Sequence, residues 1–143
     1  MVEPRVLEHL FAYGTLRPRS APPALAHLMR FASSLGAAWV PGLLYDFGSY
    51  PGVIAPPASG SQEFRVHGEV LQLAGLESWL PELDAYEGFD LTSPATSLFV
   101  RTPCTATLRS GQALTCWIYL YRGTPPASAH IPSGRWEGRS GRS

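Results

Sequence analysis

The ten residues FRVHGEVLQL, 64–73, leave few ways to build a domain. They alternate as a strand does: Val66, Gly68 and Val70 share one face with Gln72 in line behind them, while Leu71 and Leu73 carry apolar surface on the other. A strand that buries both faces belongs to a sheet that is closed or covered. The rest of the chain fits that demand. Fourteen glycines and fourteen prolines among 143 residues break it into short segments, which suits strands and turns better than a helical bundle. Residues 7–13 read as a first strand. AAWVPGLLYDFG reads as an extended stretch interrupted at Pro41-Gly42, and YPGVIAPPASGSQ as a short extended piece followed by a loop. SLFVRTPCTATL and ALTCWIYLYRG read as two strands joined by a hairpin turn at Arg109-Ser110-Gly111-Gln112.

Two segments have helical spacing. In PPALAHLMRFASS, Pro22 and Pro23 suit a first turn, and Leu25, Leu28, Met29 and Ala32 recur at helical intervals. In LESWLPELDAYEG, Ser78 is the expected N-cap, Pro81 falls in the first turn, and Gly88 stands just past the end. Trp79, Leu80, Leu83 and Tyr86 fall near one stripe. About six strands and two helices predict an antiparallel-leaning α+β domain, with closure into a barrel removing exposed edges. One domain is expected over 1–136, with residues 137–143, rich in Gly, Arg and Ser, a disordered tail.

Composition removes several kinds of chemistry. Eleven basic residues balance eleven acidic ones, so the chain lacks the basic excess of an electrostatic nucleic-acid binder. Every basic residue is arginine, which excludes a lysine Schiff base. No run of about 20 apolar residues offers a membrane-spanning helix. The first five residues do not resemble the basic start of a signal peptide, so a cytoplasmic location is expected. Cys104 and Cys116, on neighbouring predicted strands, read as buried free thiols. His9, His27, His67 and His130 are scattered without ligand spacing, so no metal is expected. GxGxxG, GxxxxGK[ST] and GxSxG patterns are all lacking, which leaves no expected cofactor and no serine elbow.

Two places remain. Glu87 sits beside Gly88, at the helix end where the partial charge is already negative. That field, together with apolar Tyr86 and Phe89, would raise a carboxyl above its usual value of about 4.3 and make it a proton acceptor near neutral pH. A solvated helix-end glutamate is the plain alternative. Asp84 reads as an ordinary surface acid or loop anchor. The second place is Tyr13-Gly14-Thr15-Leu16, where the first strand breaks. Gly14 serves the turn's geometry, or it lets a ligand approach the N–H groups of Thr15 and Leu16. Tyr50 and Tyr119 fit a cavity wall and core packing equally well.

FAYGTLRPRS resembles the Y-G-[ST]-L signature of the γ-glutamylcyclotransferase-like, or AIG2-like, family. GLLYDFGSYPGVI, VHGEVLQL, LDAYEGFD, LFVRTPCTATL, CWIYLY and IPSGRW are similar to six further blocks of that family, in the same order over 8–136. The resemblance implies a small mixed, mostly antiparallel β-barrel with two or more flanking helices. It implies an enzyme that closes the γ-glutamyl unit of a small amide to 5-oxoproline and releases an amine. Glu87, in the LDxxEG block, corresponds to the family's general acid/base, and Tyr13, Gly14, Thr15 and Leu16 to its γ-glutamyl-binding loop. The implied partner is a small γ-glutamyl molecule, with no nucleic acid, membrane or cofactor, and a monomer is slightly favoured. The alternative is a barrel of the same fold that binds a small ligand without turnover. One departure stands out: Phe99 replaces the tyrosine of the YxRxxVxV block, so one hydroxyl is missing. Arg101 of the same block reads as a structural pairing residue.

Overall fold

The computed structural model describes residues 7–13, 30–48, 50–55, 64–90 and 92–136. Most of the expected first helix and the 137–143 tail lie outside those residues. Strands β1 (His9–Ala12), β2 (Ser33–Pro41), β5 (Arg65–Gln72), β6 (Phe99–Leu108) and β7 (Ala113–Tyr121) form a closed barrel in the order β1-β5-β2-β6-β7. β3 (Leu43–Asp46) and β4 (Pro51–Ile54) make a separate two-stranded sheet. All pairings are antiparallel except the one that completes the barrel, β1 on β7, where Leu10 pairs with Trp117. The mixed barrel that the resemblance implied is therefore the fold. Among the described residues one α-helix flanks it, α1 (Leu76–Glu87).

The strand alternation explains the closure. On β1, Leu10 and Ala12 face the α1 side with Leu76, Leu80 and Leu83, while Phe11 and Tyr13 join the opposite cluster with Val66, Val70 and Ile118. β5 divides likewise, with Val66 and Val70 on one side and Leu71 on the other, each at most 2% exposed. Both faces are apolar because both are covered. Gln72, placed in line with Val66 and Val70, is exposed instead, because the strand ends there. The β6–β7 hairpin turns at the expected residues: Gly111 has φ 97°, and Leu108 N–H donates to the Gln112 carbonyl at 2.8 Å. Cys104 and Cys116 face each other across these strands as free thiols, Cys116 buried and Cys104 half-buried.

Gly68 shows where the barrel is tightest. A Cβ there would run into the carbonyl of Ala12 on β1 and meet the Phe11 ring at 3.0 Å. Backbone cannot yield as a side-chain tip does. Gly68→Ala is expected to lose about 1–3 kcal/mol, read as a lowered urea midpoint with unchanged slope.

Helix α1 begins earlier than its sequence suggests. Its N-cap is Gly75, in the left-handed region at φ 73°, and Ser78 lies in the first turn with its hydroxyl donating to the Gly75 carbonyl at 2.8 Å. Leu76, the first helical residue, is 1% exposed and packs in the core. Pro81 consequently sits mid-helix, on the exposed side. The buried stripe is Leu76, Leu80, Leu83 and Asp84; Trp79 is half-buried and Tyr86 is 41% exposed.

Candidate active site

The end of α1 and the end of β1 meet at a hollow of about 240 Å³. Phe11 and Ala12 line it from β1 and Tyr13 from just past its end, Tyr86 and Glu87 from α1, Leu98 from just before β6, Phe99 from its first position, and Tyr119 from β7. Tyr50 and Pro51 complete the wall. Of the residues singled out in the sequence, Tyr13, Tyr50, Glu87 and Tyr119 come together here. Gly14, Thr15 and Leu16 lie outside the described residues.

Local sequence sets the position of Glu87. Gly88 follows it at φ 75° and stops the helix: Gly88 N–H donates to the Ala85 carbonyl at 3.3 Å, and Phe89 N–H to the Asp84 carbonyl at 2.8 Å. That paired closure turns the chain away and leaves Glu87 as the last helical side chain. Glu87 is half-buried, with one side open to the hollow and the rest surrounded by protein. Burial pushes its carboxyl from 4.5 up to about 7. Burial also holds the Tyr13 phenol well above its ordinary value, and the nearby Glu87 charge adds to the effect. Tyr119 is raised by burial first, then by its hydrogen bond to Asp84 and the charge beside it. Glu87 therefore sits within electrostatic reach of both tyrosines.

Asp84 is not a surface acid. It is 8% exposed and accepts three hydrogen bonds: from Arg101 Nε at 2.8 Å, from Arg101 Nη2 at 3.1 Å, and from the Tyr119 hydroxyl at 2.6 Å. The Tyr13 hydroxyl in turn donates to the Tyr119 carbonyl at 2.7 Å. Arg101 is held flat as well, 4.4 Å from the Trp117 ring centroid and 5.6 Å from that of Phe89. This network joins α1, β6, β7 and β1 directly behind the hollow. The sequence did carry one clue: Asp84 stands three residues before Glu87, so both lie on one helix face.

Phe99 explains its missing hydroxyl. Its ring meets Tyr50 at 6.0 Å and Tyr121 at 5.7 Å, edge to face, and Phe47 packs at a tilt against both of those rings at 5.6 and 4.4 Å. Phe99 is part of an aromatic floor. A second hollow, bounded by Trp39, His67, Arg109, Arg135 and Trp136, contains none of the candidate residues. No group of three or more His, Cys, Asp or Glu side chains among the described residues could hold a metal ion, and no described helix is long and apolar enough to cross a membrane.

The fold is a small closed mixed barrel, and among the described residues Glu87 is the one charged side chain lining its largely aromatic hollow. The chain matches the family described as gamma-glutamyl cyclotransferase, AIG2-like, over residues 10–138, and it belongs to that family. Among solved structures, an AIG2-like protein of Mus musculus is similar with a TM-score of 0.65 and 21% identity, covering 96% of this chain and 94% of that one. The YkqA protein of Bacillus subtilis is similar with a TM-score of 0.63 and 22% identity over 92% of this chain. This chain spans 40% of YkqA's length. An uncharacterised Pyrococcus horikoshii protein has a TM-score of 0.56 at 18% identity, with 90% and 89% of the two chains covered. At these identities the likeness is one of fold. No curated protein matches the chain.

Proposed function

We propose that this chain catalyses intramolecular aminolysis of a small γ-glutamyl amide. The α-amine nitrogen attacks the γ-carbonyl carbon, the new C–N bond closes a five-membered ring, and the old C–N bond breaks. The products are 5-oxoproline and a free amine. The observation that carries the reading is the Glu87 carboxyl, raised to about 7, in the wall of a hollow shared with Tyr13.

An α-ammonium cannot attack until it gives up a proton. Glu87 takes it as the general base, then returns it to the departing nitrogen as the general acid. A carboxyl with an ordinary value would be too weak a base near neutral pH and too rarely protonated for the second step. Nucleophile and electrophile belong to one molecule, so the protein's main task is to fold the substrate into attack geometry. Tyr13, Gly14, Thr15 and Leu16 bind the γ-glutamyl unit in this reading. Tyr50 and Tyr119 shape the wall.

Two measurements test it. The protein is incubated with γ-glutamyl amides and the mixture examined for 5-oxoproline; free glutamate in its place would mean hydrolysis, and neither product would mean no turnover. The pH profile is the second. The ionised carboxyl is the form that starts the reaction, so kcat/KM is expected to rise about tenfold per pH unit below about 7 and to level off above it. A limb centred near 4.5 would mean that burial does not raise the Glu87 carboxyl, and a limb that persists unchanged in Glu87→Gln would remove Glu87 from the base role.

A further inference from the structure

Residues 131–136, the block IPSGRW, take no part in lining the hollow at Glu87, yet backbone hydrogen bonds pin them along β5. Ile131 N–H donates to the Leu44 carbonyl at 2.7 Å, Gly134 N–H to the Ile131 carbonyl at 3.0 Å, and His67 N–H to the Gly134 carbonyl at 2.8 Å. Gly134 is buried at φ 70°, and a Cβ there would run into the Arg65 carbonyl. Glycine alone lets the chain lie this close to the strand. The residues so delivered are Arg135 and Trp136. Both line the second hollow, of about 300 Å³, together with Trp39, His67 and Arg109, and it shares no lining residue with the first. Arg109 comes from the β6–β7 turn, where its backbone N–H donates to the Ala37 carbonyl at 3.2 Å.

The surroundings are electropositive. A third guanidinium, that of Arg65, lies 3.9 Å from the Trp39 ring centroid. His67 is held below its ordinary value, by burial first and then by the Arg135 and Arg65 charges. Glu69, next on the same face of β5, accepts from the Ser34 hydroxyl at 2.6 Å and does not line the hollow. Among the described residues, neither the Arg109 nor the Arg135 guanidinium is in an ion pair. Guanidinium and indole nitrogens donate and do not accept, so a ligand here must supply acceptors. The planar guanidinium suits carboxylate or phosphate oxygens, taken two at a time. The two indoles add flat apolar surface. The volume stands at the lower end of the ~300–1,000 Å³ usual for drug-sized ligands, which admits a single ring with its anionic head.

We propose that this hollow is a second ligand site and that it takes a small oxyanion, a carboxylate or a phosphate monoester, carried on a flat ring. Arg109 and Arg135 hold the head, and Trp39 and Trp136 flank the ring. The site stands independently of the reaction at Glu87.

The full chain is titrated by calorimetry with phenyl phosphate and with benzoate, and with inorganic phosphate and benzyl alcohol as the head and the ring alone. Saturable binding of phenyl phosphate or benzoate is expected, and the tighter of the two names the head. Arg109→Gln and Arg135→Gln should each weaken it at least about tenfold. Both residues are exposed, so the fold should stand. Arg30→Gln removes the same charge from an exposed residue that lines neither hollow and should leave binding unchanged. Nuclear magnetic resonance supplies a second reading: His67 should titrate higher once the anion is bound, and in the free protein Arg135→Gln alone should move it up. A loss in Arg30→Gln equal to that in the two lining variants would mean attraction to net charge only and overturns the site. Inorganic phosphate bound as tightly as phenyl phosphate overturns the flat ring as part of the ligand. No binding of either ring compound, or binding that Arg109→Gln and Arg135→Gln leave intact, overturns the proposal.

Discussion

If Glu87 is the general acid/base proposed above, Glu87→Gln is expected to lower kcat by about 10²–10⁴-fold, the span typical of such a loss, while the fold survives. The amide keeps the size of the side chain but can neither take nor return a proton. The same substitution has a second, opposite effect on stability. In the folded chain the Glu87 carboxyl holds its proton up to about pH 7; unfolded, it releases it near 4.5. Between those values the folded state binds the extra proton, so stability falls as pH rises through the window. Below about pH 4.5 both states are protonated and the variant should match the wild type. Above pH 7 the wild type carries a desolvated charge that the glutamine does not, and the variant should be about 1–3 kcal/mol more stable. Urea denaturation at pH 4 and pH 8 reads the difference directly. Unchanged turnover with unchanged stability at pH 8 would make Glu87 a solvated helix-end residue after all.

Asp84→Ala is expected to be the most damaging substitution behind the site, at about 3–5 kcal/mol, because it leaves the Arg101 guanidinium nearly buried with no counter-charge. It also strands the Tyr119 hydroxyl. Tyr119→Phe removes only that hydroxyl's bond to a charged acceptor and should lose about 1.5–3 kcal/mol. Losses from the two single variants should not add in the double variant, since both act on one network. Equal, small losses from all three would mean that water replaces the network readily. Activity should fall in Asp84→Ala beyond its effect on folding, because Asp84 anchors the helix turn that presents Glu87.

Much of this was readable from the sequence, for physical reasons that differ by element. The strands declared themselves because period-two burial is a local property: Val66, Val70 and Leu71 say which faces are covered without reference to their partners. The end of α1 was equally legible, since only a residue at ease with positive φ closes a helix as Gly88 does. Its start was not. Ser78 has a good capping side chain, but the competing choice at Gly75 buries Leu76, and core burial outweighs a cap. Of the two readings of Asp84, surface acid and anchor, the second is nearer, and its partners could not be named because they are distant: Arg101 is 17 residues away and Tyr119 is 35. Nothing within the helix distinguishes a carboxylate that will meet a guanidinium from one that will meet water. Glu87 could be suspected from its place beside a stop glycine, but the wall around it depends on strands that come earlier and later in the chain.

The parallel seam between β1 and β7 has a consequence for how the hollow comes into being. Tyr13 and Tyr119, whose side chain and carbonyl join across it, are 106 residues apart. A growing polypeptide that already contains Glu87 has no floor to set it against until its seventh strand has emerged and been zipped to its first. Such distant pairing is slow to form. The closed hollow is therefore the last part of the fold to form, and a piece cut before Tyr119 would keep the acid and lose its chamber.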